Sequence, residues 1–90
     1  MGRKKVWEVH GIYPPAAPIL ADLWKHHKGH VEWNLEPIHY RVAYVDDMIR
    51  DIEKGIKAMN KARELGANTM QISRLHIGKH HGLETDIYFY

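Results

Sequence analysis

The sequence predicts an α+β domain in which a four-stranded sheet carries two helices on one face. Three observations point there. Lys5–Tyr13, His30–Glu36 and Ile38–Val45 alternate apolar and polar residues at a period of two, as strands do. Two other stretches, Ile19–Trp24 and Asp47–Leu65, repeat apolar residues at helical spacing. The stretches follow in the order strand, helix, strand, strand, helix, strand, with a last β-prone segment at Asp86–Tyr90. Val31–Gly78 holds four of these elements with almost no linker, so the rest of the chain must fit around it.

The first strand, Lys5–Tyr13, puts Trp7, Val9 and Tyr13 on one face and Val6, Glu8, His10 and Ile12 on the other. One apolar and one mixed face suit a sheet covered on one side only. The prolines at 14, 15 and 18 break the strand and start a helix, since proline is tolerated in a first helical turn. That helix runs to about Lys28, where His26, His27 and Lys28 complement the dipole and Gly29 stops it. In the second strand Val31, Trp33 and Leu35 alternate with His30, Glu32 and Asn34, and Pro37 then interrupts the ladder. The third strand follows as Ile38–Val45.

Asp46 and Asp47 cap the second helix, which presents Met48, Ile49, Ile52, Ile56, Met59, Ala62 and Leu65 as its apolar face. Gly55 allows a close approach to the sheet, and Gly66 ends the helix. The fourth strand spans Asn68–Gly78, with a change of parity at Ser73-Arg74 that signals a bulge or an exit from the sheet. Asp86–Tyr90 is too β-prone to stay bare and is expected to pair with an edge strand or a partner subunit. Two right-handed split β-α-β units of this kind make a ferredoxin-like sandwich: a four-stranded antiparallel sheet, two helices on one face, and a short C-terminal β segment.

Ninety residues correspond to a single domain over 1–90, which buries roughly 60–65% of its unfolded surface. Such a domain gains from oligomerisation, and a 44% hydrophobic content supplies interface material. The 13 basic and 11 acidic residues give a net charge of only +2 and intersperse along the chain, so nucleic acid is not an expected partner. The absence of cysteine removes disulfides and thiolate chemistry and suits a reducing cytoplasm. No apolar run approaches the roughly 18–20 residues of a membrane span. A signal-peptide core is missing from the start of the chain, so a cytoplasmic protein is the expectation.

Eight histidines are the compositional oddity. His26 and His30 have the spacing of two ligands on one helical turn, but Gly29 lies between them, and a solvated helix end competes with metal binding. His76, His80 and His81 form a second cluster at a strand end and in a glycine-flanked loop, with a polar hairpin as the competing reading. Glu8, His10, His39 and Arg41 share the parity opposite to the aromatic residues and so face the open side of the sheet. A carboxylate, two imidazoles and a guanidinium there suit a small polar ligand or an anion, while a polar dimer interface is the alternative. Trp7, Trp33, Tyr40 and Tyr44 have the parity of the helix-covered face, which favours packing over base stacking.

Three features give the block a family likeness: Trp33-Asn34-Leu35-Glu36-Pro37-Ile38, the helix from Asp47, and Leu65-Gly66-Ala67 before Met70. In these it resembles the small thiamine-binding-like proteins of ferredoxin-like fold. The resemblance implies a dimer or tetramer that binds thiamine or a related heteroaromatic, with no catalysis assigned. Together with the polar set read from parity, it puts the expected ligand at the open sheet face or subunit interface, against Glu8, His10, His39 and Arg41, with Glu36 at the turn. The chain departs from the family where Tyr13-Pro14-Pro15-Ala16-Ala17-Pro18 replaces a small-residue turn and where Glu36 replaces glycine before the proline. The alternative is a non-catalytic accessory subunit that docks on a larger protein through its open sheet face and its C-terminal β segment. A small enzyme with His10 or His39 as acid and base is a third reading.

Overall fold

The computed structural model describes residues 4–34, 45–73, 76–77 and 83–90, with the backbone alone at 76, 77 and 83. The elements are β1 (Trp7–Val9), a 3₁₀ turn (Pro14–Ala16), α1 (Ala17–His26), β2 (His30–Trp33), α2 (Val45–Glu64), β3 (Thr69–Ile72), β4 (His76–Ile77), β5 (Leu83–Glu84) and β6 (Ile87–Phe89). β1, β6, β3 and β2 form a four-stranded sheet in that order, and β4 pairs with β5 in a separate two-stranded ladder. The two helices touch each other, α1 packing over β2 and β3 and α2 over β1, so they lie side by side on one face. The protein is thus α+β, with two helices on a four-stranded sheet.

The sheet is mixed and not wholly antiparallel. β2 and β3 are adjacent and parallel, whereas β6 runs antiparallel to both β3 and β1. The reason lies in the crossover: α2 returns the chain beside β2 in the same direction, and no strand is threaded between them. The C-terminal strand lies between β1 and β3, a place the predicted order gives to no C-terminal segment. Of the predicted strand Ile38–Val45 only Val45 is among the described residues, and it opens α2.

Asp86–Tyr90 does pair with the end strand β1, and it also pairs with β3, so it lies inside the described sheet. Ile87 and Phe89 alternate with Tyr88, and both are 1% exposed against the helices. Tyr90 N donates to Thr69 O (2.8 Å), which extends the pairing to the last residue. The expected break after β3 is an exit from the sheet: Ser73 N and Oγ both donate to Asp86 O, at 2.9 and 3.2 Å.

Local chemistry explains the element ends. Gly11 (φ 77°) cuts the first strand short of Tyr13, so Ile12 turns into the core and not onto the open face. Asp51, on a helical face that reads as polar, is buried and accepts from Tyr13 N (3.0 Å) at the mouth of the 3₁₀ turn. α1 stops at His26, and Lys28, not Gly29, takes the left-handed conformation (φ 65°). Gly29 instead lies against the Trp24 indole, where a Cβ would clash. Trp24 Nε1 donates to His30 O (3.0 Å), and its ring meets Phe89 at 5.2 Å and 58°.

α2 turns part of its expected stripe inward, with Met59 and Ala62 buried and Met48 and Ile52 packed against the core, but the buried face is rotated toward its small residues. Asp51, Gly55, Ala58, Met59 and Ala62 are buried, while Ile49, Ile56 and Leu65 are exposed. Small residues let the helices approach closely, and Gly55 packs against Leu20 of α1. Asp46 and Asp47 lie within the first turn, and Gly66 (φ 94°) follows the helix as expected.

Candidate functional site

Register pairing carries one row of side chains straight across the face without helices: Glu8, Tyr88, Gln71 and Glu32. The apolar partners of the same strands, Val9, Ile87 and Ile72, face the helices and are buried. Glu8 thus lies on the open face, as its parity predicts. Tyr90 Oη donates to Gln71 Oε1 (3.1 Å), and Lys5 Nζ stands 5.6 Å above the Tyr88 ring.

His10 follows β1 on the same side and sits between two carboxylates. Its Nδ1 lies 2.7 Å from Asp86 Oδ1, and its Nε2 contacts Glu8 Oε1. The hydrogen bond to Asp86 is the main reason the imidazole pKa rises above its usual value, with the charges of Asp86 and Glu8 adding to it. Glu8 also binds Lys5, and that hydrogen bond is the main cause holding its carboxyl below the usual range. The two contacts favour an imidazolium with both ring nitrogens donating. Neither nitrogen is left to take a proton from a substrate, so in this arrangement His10 supplies fixed charge and not general base catalysis.

The outer edge of β1 and the adjacent flank of α2 enclose a groove of about 500 Å³. Trp7, Val9 and Ala58 give it an apolar floor, and Glu8 and His10 form one rim. Lys54, Lys57 and Lys61 form the other. Residues from both faces of β1 reach the groove because it runs along the edge of the strand that pairs with no other described strand. Lys54 Nζ donates to His10 O (3.1 Å) and ties the two rims together.

Glu8 and His10 therefore come together as the sequence suggests, whereas Glu36, His39 and Arg41 lie outside the described residues. Asp86 and the lysine row are additions. The lysines recur at i, i+3 and i+7 on a recognisable helix, a spacing legible in the sequence but hidden by the acids interspersed with them. Asp86, 76 positions from His10, could be placed only by the sheet order.

Among the described residues no group of three or more His, Asp or Glu side chains is placed to hold a metal ion. His26 ends α1 and His30 begins β2, so the helical i, i+4 face that would pair them does not form. Both are exposed, and His30 Nε2 lies 3.6 Å from Glu32 Oε1. His80 and His81 fall outside the described residues, and His76 is described by its backbone in β4. Among the described residues no helix is long and apolar enough to cross a membrane. No family model, curated protein or solved structure matches the chain.

Proposed function

We propose that this chain is a homo-oligomeric small-molecule-binding protein whose ligand site is the groove between β1 and α2. The observation that carries the reading is the groove itself: about 500 Å³, floored by Trp7, Val9 and Ala58, with Glu8 and His10 at its rim. An apolar floor with a few convergent polar groups is the usual build of a ligand site, and the volume falls in the usual range. Thiamine or a related heteroaromatic is the ligand class suggested by the likeness of Val31–Gly78 to the thiamine-binding-like proteins. His39 and Arg41, which share the sequence parity of Glu8 and His10, and Glu36 at the turn before them are proposed as further ligand contacts.

The relation to a ferredoxin-like sandwich that goes with this reading is supported by the β1–α1–β2 unit. Those two strands run in the same direction without being neighbours, and both helices share one face, although two strands lie between β1 and β2 where the ferredoxin-like unit has one. The parallel β2–β3 pair departs from that pattern.

The test is native mass spectrometry of protein purified without added ligand, followed by calorimetry with thiamine and its pyrimidine half. A retained small organic molecule, or heat of binding that Trp7→Ala weakens, is the expected result. A clean protein that binds neither compound, nor a nucleotide, overturns the reading.

The accessory-subunit reading keeps one observation in its favour, the Glu8–Tyr88–Gln71–Glu32 row, which neither described helix covers. It would dock through that face alone, since the C-terminal segment is interior to the sheet. Light scattering separates the two: a closed homo-oligomer that loses its assembly on Tyr88→Glu favours the first, and a monomer the second.

A further inference from the structure

The lysine row gives the groove a charge preference. Lys54, Lys57 and Lys61 are spaced over about 10 Å of helix at 1.5 Å per residue, all along one side of the groove. Lys54 is engaged with the backbone at His10, and Lys61 stands 3.7 Å from Glu64. Lys57 has no carboxylate partner among the described residues. Among the described residues Glu8 is the one carboxylate that lines the groove, and it is already paired with Lys5 and His10. A smaller cavity of about 240 Å³, lined by Arg50, Glu53, Lys54 and Lys57, continues the row toward the helix N-terminus. Arg50 is paired with Asp47 there, and Glu53 interrupts the positive charge, so the uncompensated stretch is short.

We infer that the groove's ligand is a heteroaromatic compound carrying a phosphate or diphosphate ester, its ring on Trp7 and Ala58 and its phosphate on Lys57 and Lys61. The inference rests on the groove being the ligand site. Ammonium groups on flexible stems bind phosphate as point charges, and the spread of the row suits more than one anionic centre. A cationic or neutral heteroaromatic leaves Lys57 unanswered. A long polyanion would meet Glu53 and Glu64 at the ends of the row.

The test compares thiamine, thiamine diphosphate and inorganic pyrophosphate by calorimetry on the full chain, with Lys57→Gln beside the parent. Lys57 is exposed, so the variant folds as the parent does. The diphosphate ester is expected to bind at least about tenfold tighter than thiamine, a difference of about 1.4 kcal/mol. Lys57→Gln should erase most of that difference, and added salt should weaken the ester selectively. Equal binding of thiamine and its diphosphate, indifferent to Lys57→Gln, overturns this inference and leaves the groove as a ligand site. Binding of neither overturns the inference, and if no nucleotide binds either, the groove reading falls with it. Pyrophosphate binding as tightly as the ester, or a salt-sensitive complex with single-stranded oligonucleotide tighter than either, also overturns the inference.

Discussion

His10 holds its proton between Asp86 and Glu8, which gives the protein's stability a definite pH signature. Its folded pKa is raised, so the stabilisation is fully present below the unfolded value of about 6.5 and is lost as pH rises through the folded value. The melting temperature of the parent should exceed that of His10→Gln at about pH 6, and the gap should close on the alkaline side. The side chain is 59% exposed, so the gap should also shrink in high salt. Asp51 is the opposite case: burial is the main cause that raises its carboxyl pKa, while Tyr13 N depends on it as an acceptor. Asp51→Ala should cost about 1–3 kcal/mol in urea unfolding by orphaning that donor, and Asp51→Asn, which keeps a carbonyl oxygen, less. Thr85 is fully buried, and its hydroxyl has no hydrogen-bond partner among the described residues. Thr85→Val should therefore leave stability unchanged or raise it by about 1 kcal/mol, and a loss of similar size would show that the hydroxyl is satisfied.

Between α1 and β2 the chain turns through Lys28 and Gly29, and the two residues have different jobs. Lys28 carries the left-handed φ of 65°, so Lys28→Gly should stabilise by roughly 0.5–1 kcal/mol. Gly29 lies where the Trp24 indole leaves no space for a side chain, so Gly29→Ala should destabilise by about 1–3 kcal/mol. If Gly29 were the helix stop by conformation alone, the two substitutions would not diverge in this way. The same logic applies on α2, where a Cβ at Gly55 would come within 2.7 Å of Leu20. Gly55→Ala gains about 1 kcal/mol of helix propensity but pushes a methyl into a buried leucine, and thermal melts should show a net loss.

For the molecule as a whole, the decisive strand is the last one. β6 joins β1 to the β2–β3 pair, and Phe89 packs on Trp24 at the centre of the core. A chain that stops after Thr85 should lose its cooperative melt by circular dichroism, whereas a dispensable C-terminal extension would leave the melt intact. The radius of gyration, 12.5 Å, is close to the roughly 12 Å of a compact chain of this length.

Much of this was legible in the sequence because it depends on neighbours along the chain. The 3.6-residue period located both helices, the two-residue period placed Glu8 opposite Val9, and Gly66 marked a helix end. Helical spacing also aligns Lys54, Lys57 and Lys61, but the acids between them hide the row until the groove shows it. Direction and order of strands are another matter, since period-two alternation is the same in a parallel, antiparallel, edge or central strand. Packing of α1 against α2, with Leu20 over Gly55, chose the buried stripe of small residues. The sheet order then brought Asp86 to His10 and placed Asp86–Tyr90 between β1 and β3. Local propensity comes from the backbone and its nearest side chains, and the sequence alone determined it here. Which strand lies beside which, and so which groups form the groove and its rim, was decided only by the tertiary structure, because those contacts join residues far apart in the chain.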